Sequence, residues 1–198
     1  PLVAAMPAES VKKGKSRVPM STLTSPAEPI VKFNIVDDNR ANLFLRTDKA
    51  VIAFDKNSGQ LVQLTYDNQN MLAGRDGFKY NYYRAINNDR REYVETTTRL
   101  DSFRYNELED GKVQIKASYT ETIGKQVVPY NIVYEATPKD GSLQVSAKFG
   151  IDKNYNLPRI GLETFLKSGL ENVTWYGRGP MENYPDRKDC AFVGKKKK

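Results

Sequence analysis

The chain has 198 residues, with 31 Lys and Arg against 24 Asp and Glu, no His and a single Cys. Without His, Ser-His-Asp and Cys-His triads, His-ligated zinc and imidazole acid–base chemistry are excluded; with only Cys190, so are an internal disulfide and a CxxC site. No stretch approaches the roughly 18 apolar residues of a membrane-spanning helix, so no membrane partner is expected.

The formal net charge is +7. Lys195 to Lys198 supply much of it, and Lys12, Lys13, Lys15 and Arg17 against Glu9 and Glu28 supply more, so the body from 31 to 194 is close to neutral. A nucleic-acid binder carries its positive charge on the folded surface, among aromatics. Here the excess sits at the two ends, which argues against a nucleic-acid partner. The chain opens on Pro1 rather than Met, as a cut or processed piece does. Residues 1–30 are rich in Ser, Pro, Lys and small residues and lack the apolar run of a signal peptide. They read as a linker or the end of a preceding domain. Residues 31–194 read as one domain and 195–198 as a basic tail kept out of the fold. One Cys suits cytoplasm and periplasm alike.

From residue 31 the pattern is that of strands. Leu43, Phe44 and Leu45 precede Val51, Ile52, Ala53 and Phe54. Lys56-Asn57-Ser58-Gly59 makes a turn, because Asn and Gly accept the backbone angles tight turns need. Leu61, Val62 and Leu64 follow, and Asp67-Asn68-Gln69-Asn70 is a second turn. Arg90 to Phe103 is a weak helix candidate, opposed by Thr96-Thr97-Thr98; its first part, to Arg99, reads as a long polar loop. Three runs then alternate cleanly: Val113, Ile115, Ala117, Tyr119; Val128, Tyr130, Ile132, Tyr134; and Leu143, Val145, Ala147, Phe149, Ile151. Period two places each run on one face of a half-buried strand. Asp110-Gly111, Gly124-Lys125 and Asp140-Gly141 stand where hairpin turns belong. Ile160, Leu162 and Leu166 continue the pattern, and Asn172 to Tyr176 reads as one more strand. The fold class is all-β, an antiparallel sandwich.

Two clusters are candidates for chemistry. Tyr80 to Arg91 interleaves aromatics, amides and charges, including Asn88 and Asp89. Rings stack on sugar C–H faces and planar amides pair with hydroxyls, yet the same residues suit a polar loop held by Asx turns. Trp175 to Arg187 contains the one Trp, Gly177 and Gly179, Pro180 and Pro185, and Arg178, Glu182, Asn183, Tyr184, Asp186 and Arg187. It reads as a stiff structural loop in which Arg178 and Arg187 pair with Glu182 and Asp186. No phosphate-cradling glycine pattern is present. The carboxylates offer no pair with a diagnostic context for glycosidase chemistry.

The series Leu157-Pro158-Arg159-Ile160-Gly161-Leu162, Trp175-Tyr176-Gly177-Arg178-Gly179-Pro180 and Glu182-Asn183-Tyr184-Pro185-Asp186-Arg187 closely resembles the C-terminal small-chain region of family 2 β-galactosidases. Tyr83-Arg84-Ala85-Ile86-Asn87-Asn88-Asp89 looks like the family's R-A-P-x-D-N-D motif, with Ile86 in place of Pro and Asn87 also departing. Asn57-Ser58-Gly59-Gln60-Leu61 resembles its strand–turn–strand signature. The resemblance covers roughly residues 35–194, and several motifs in series make it specific.

It implies a supersandwich of galactose-mutarotase type, incomplete here because the family's domain continues past Arg187. It implies packing against a TIM-barrel domain that carries both catalytic glutamates, so no catalytic residue is expected in this chain. It places Asn88 and Asp89 near the substrate entrance. Trp175, Arg178, Glu182, Asn183, Tyr184, Asp186 and Arg187 form a structural motif loop. No metal or cofactor is expected in the chain; parent enzymes use Mg and Na elsewhere. The expected partners are the barrel domain, a β-galactoside or other carbohydrate, and further copies of the fragment. The main alternative is a free-standing carbohydrate-binding module. A mutarotase would resemble its relatives in using His with a carboxylate, and there is no His. An adhesion protein would need a partner surface of its own.

Overall fold

The computed structural model describes residues 29–38, 40–82, 95–150, 157, 159–181, 189 and 191–197. Its described elements are all strands, so none of them is a helix long and apolar enough to cross a membrane. The first five are β1 (Asn34–Asp37), β2 (Asn42–Arg46), β3 (Ala50–Asp55), β4 (Leu61–Tyr66) and β5 (Gln69–Asn70). They form an antiparallel meander in which each strand pairs with the next. The β4–β5 turn is tight because Asp67 and Asn68 both take positive φ, 46° and 65°, the demand of a two-residue hairpin turn that Asp and Asn tolerate.

After β6 (Lys79–Asn81) come four longer strands: β7 (Thr96–Glu107), β8 (Val113–Ile123), β9 (Gln126–Ala136) and β10 (Leu143–Phe149). They build a second antiparallel sheet in the order β10-β9-β8-β7. The alternating runs read from sequence lie here in the expected phase: Val113, Ile115, Ala117 and Tyr119 on β8 and Val128, Tyr130, Ile132 and Tyr134 on β9 are buried. Phe149 pairs with Tyr130 at the end of β10, and the Gly150 amide then donates to the Pro129 carbonyl at 2.7 Å. Small elements complete the chain. β11 (Gly161–Glu163) pairs with β6, and β12 (Thr174–Arg178) pairs with β13 (Val193–Lys197).

The two large sheets share one core. Leu43, Leu45, Ile52, Phe54 and Leu61 of the first sheet cluster with the buried face of β8 and β9. The Phe54 ring meets Tyr134 edge-on at 4.9 Å and lies 6.2 Å from Phe103. Each such fully buried side chain stabilises the fold by about 1.5–3 kcal/mol. This is sheet-on-sheet packing, an antiparallel β-sandwich with no closed barrel.

Three local readings change. The Arg90–Arg99 stretch is not loop throughout, because Thr96 to Arg99 belong to β7 and pair with Ile123 to Thr120 on β8. The strand placed at Asn172–Tyr176 runs over Thr174–Arg178. Lys195, Lys196 and Lys197, set apart as a tail, lie in β13 opposite Tyr176, Trp175 and Thr174; Val193 and Gly194 start a strand that the lysines' backbone amides continue. Exposed large apolar side chains concentrate in the later part of the chain, with Phe165 at 57%, Phe192 at 74% and Tyr176 at 81%.

Candidate functional site

Asn88 and Asp89 lie outside the described residues, as do Glu182, Asn183, Tyr184, Asp186 and Arg187. The residues on either side of the 83–94 segment are described, and they converge. On the leading side, Tyr82 stacks on Tyr80 with ring centroids 6.1 Å apart. Tyr80 stacks on Tyr130 at 5.4 Å, and Tyr130 on Tyr119 at 4.9 Å. Phe149 closes the side of this column, 5.4 Å from Tyr80 and 5.9 Å from Tyr130. Offset stacks of this kind add about 0.5–1.5 kcal/mol per pair beyond burial. On the returning side, the Glu95 carbonyl accepts from the Gly124 amide at 3.4 Å, and Thr96 pairs with Ile123. Both flanks thus rest on the β8–β9 hairpin, Glu95 and Thr96 at its turn and the tyrosine column four register positions away, at Tyr119 and Tyr130.

Between them sits Glu121. It occupies a core-facing position of β8, in phase with Tyr119 and Ile123, and is only 4% exposed. It is the one buried charged side chain among the described residues. Thr98 of β7, directly opposite in the ladder, donates its hydroxyl to Glu121 Oε2. A carboxylate in such a place costs several kcal/mol unless hydrogen bonds or charges compensate it. Sequence reading passed over Glu121, although a signal existed: it interrupts an apolar alternation at a position where the pattern demands a buried residue. Beside the stack, the Asn81 amide donates to Glu163 Oε2 across β6 and β11, so the short sheet that carries Tyr80 is tied by a polar clasp.

Burial raises the Tyr119, Tyr130 and Tyr134 phenols well above their ordinary range, with the Glu121 carboxylate a smaller contribution at Tyr130 and neighbouring tyrosines smaller contributions at Tyr130 and Tyr134. Burial thus disfavours the ionised form of these hydroxyls. Among the described residues no three Asp, Glu or Cys side chains gather in a way that would hold a metal ion.

The second cluster is represented by Trp175 and Arg178, both on β12. The Trp175 indole N–H donates to the Arg178 carbonyl at 3.1 Å. The Arg178 guanidinium donates from Nη1 to the Ala191 carbonyl at 3.0 Å. Gly179, at φ 146°, allows the chain to wrap the indole: a Cβ there would stand 2.9 Å from Trp175 Cζ2. These contacts make Trp175 and Arg178 a backbone-pinning pair at the ribbon's end.

Residues 46–196 match the family model described as beta galactosidase small chain. The chain is similar to a beta-galactosidase of Priestia megaterium, 26% identical over 171 residues, which is 79% of this chain and 16% of that protein. It is similar to a beta-galactosidase of Lactobacillus delbrueckii subsp. bulgaricus, 30% identical over 173 residues, again 79% of this chain and 16% of that protein. A shorter stretch of 39 residues is 54% identical to a beta-galactosidase of Vibrio cholerae. The chain therefore spans about one sixth of the length of the longer-matching relatives.

Proposed function

We propose, from the premise that this chain belongs to the β-galactosidase small-chain family, that it is the non-catalytic β-sandwich domain of a family 2 β-galactosidase. In this reading it supports and partly walls a sugar site whose two catalytic carboxylates reside in a TIM-barrel domain outside the chain. The observation that carries the reading is that the described residues on both sides of the 83–94 segment, which contains Asn88 and Asp89, rest on the β8–β9 hairpin. A platform of stacked tyrosines and a fixed strand start are what the flanks of a positioning segment require.

The chemistry points the same way. Glycoside hydrolysis needs two carboxyl groups about 5–10 Å apart across the scissile bond. The buried carboxylate described here, Glu121, looks onto tyrosine rings and a threonine. Any Mg or Na used by the intact enzyme would be held by other parts of it.

The test has two arms. The purified chain is incubated with a chromogenic β-galactoside and is expected to show no turnover; turnover abolished by Glu121→Gln would overturn the reading. In the intact enzyme, Tyr82→Ala should raise KM severalfold more than it lowers kcat. An unchanged KM, or tight binding of neutral β-galactosides by the chain alone, would favour a free-standing carbohydrate-binding module.

A further inference from the structure

One face of the β12–β13 ribbon is exposed at every position. The register sets Thr174 opposite Lys197, Tyr176 opposite Lys195 and Arg178 opposite Val193. Side chains opposite one another, or two apart along a strand, project from the same side. These six therefore share a face, and all six are exposed. At its centre Tyr176 is 81% exposed, the most exposed of the large apolar side chains described. Lys195 stands directly across from it, with Arg178 and Lys197 toward the two ends. None of the six is acidic. The ribbon beneath is held in shape, since Trp175 pins the Arg178 carbonyl and Arg178 pins that of Ala191.

We propose that this face binds an acidic glycan, a polysaccharide bearing carboxylate or sulfate groups. Tyr176 stacks on the C–H face of a sugar ring, while Lys195 and Lys197 pair with the anionic substituents. A lone aromatic ring flanked by lysines, with no carboxylate among the six described residues of the face, matches that chemistry: the ring supplies a flat apolar platform and the lysines mobile point charges. A nucleic acid fits less well. Strand-tracking proteins use an extended positive groove with several stacking rings, whereas here the body of the chain is close to neutral and Asp189 follows soon after the ribbon's first strand.

The test is affinity electrophoresis of the full chain through gels containing polygalacturonate, a sulfated galactan or a neutral galactan. A thymidine oligonucleotide and phosphatidylglycerol vesicles are tested in parallel. The chain should be retarded by the two acidic glycans and not by the neutral one, and the retardation should weaken with salt. Tyr176→Ala should weaken binding about tenfold, Tyr176→Phe should retain it, and the double variant Lys195→Gln, Lys197→Gln should abolish most of it. Far-ultraviolet circular dichroism checks that each variant folds, which an exposed position favours. Equal retardation of Tyr176→Ala and the unaltered chain overturns the proposal. So does a preference for the oligonucleotide or the vesicles. None of these readouts involves galactoside hydrolysis, so failure here leaves the supporting-domain reading to its own test.

Discussion

Tyr119 and Tyr130 face each other across the β8–β9 pair with their rings stacked 4.9 Å apart, and the Tyr119 hydroxyl ends against Gly59 of the opposite sheet. That hydroxyl is buried with no hydrogen-bond partner among the described residues, as is the hydroxyl of Tyr134. Removing an unsatisfied buried polar atom relieves its desolvation cost. Tyr119→Phe should therefore stabilise the chain by about 1 kcal/mol, a rise of about 2–4 °C in Tm. Gly59→Ala should do the opposite. Gly59 has φ 70° and a Cβ there would stand 2.5 Å from Tyr119 Oη, so a loss of about 1–3 kcal/mol is expected. A lower Tm for Tyr119→Phe would mean the hydroxyl has a partner.

Alkali should unfold the chain cooperatively. Burial is the chief reason that the Tyr119, Tyr130 and Tyr134 phenols are raised above the ordinary tyrosine range. In the unfolded chain they ionise at about 10. The sign follows: their contribution is fully present below pH 10 and is lost as pH climbs from there toward the folded values. Tyrosinate absorbance should show exposed tyrosines titrating first and the buried ones only together with the loss of β-structure. Ionisation of all tyrosines in one non-cooperative step near pH 10 would contradict this.

Asp38 should make the fold sensitive to acid. Its Oδ1 accepts from the amides of Ala41 and Asn42 at 2.7 and 2.6 Å. The backbone bonds from Asn42 and then Ala41 hold its carboxyl at about 2, below the usual carboxylate range. A depressed carboxyl stabilises above its unfolded value and loses that contribution as pH falls from about 4 toward 2. Asp38→Ala should lower Tm at pH 6 and flatten its pH dependence between 4 and 2. Parallel melting curves for the two proteins across that window would show that the β1–β2 turn does not depend on this carboxylate.

Thr98→Val should cost about 1–3 kcal/mol, because it removes the hydroxyl donor to the buried Glu121 carboxylate. Thr97→Val, at an exposed position of the same strand, should stay within about 0.5 kcal/mol. Urea unfolding of the two variants compares them directly. Equal midpoints would mean that Glu121 draws its compensation from elsewhere.

Concentration-dependent association is expected from the later part of the chain. Phe165, Phe192 and Tyr176 are exposed, and a two-stranded ribbon is marginal in water by itself. Sedimentation velocity should show an average mass rising with concentration, and Phe192→Ser should reduce the rise. A strict monomer at all concentrations would show that these side chains are tolerated as ordinary surface.

The parts of the fold that were legible are those where burial on one side imposes alternation. Tyr119, Tyr130 and Tyr134 announce β8 and β9 because every second residue must enter the core. β7 is harder to see. It is an edge strand whose Thr97, Arg99 and Asp101 face water or pair with one another, and a bulge between Leu100 and Ser102 breaks its phase. β13 was illegible for a different reason: Lys195 to Lys197 are strand residues by backbone pairing with β12, which side-chain pattern does not report. At the candidate site, the family motifs carried Asn88, Asp89 and the Trp175–Arg187 loop, while the tyrosine column and Glu121 depend on which strands become neighbours. No local pattern brings Tyr80 to Tyr130 or Thr98 to Glu121.

Pro129 has a consequence for how this molecule behaves among its own copies. Its carbonyl meets the Gly150 amide where β10 stops, and in an antiparallel ladder the nitrogen of the same residue turns toward the same neighbour. That nitrogen carries no hydrogen. A strand from another molecule that paired along this side of β9 would find no donor at Pro129. The proline thus withholds one donor on the β10 side of the row, and it spares the β8 side of the same residue, where pairing with Thr120 continues.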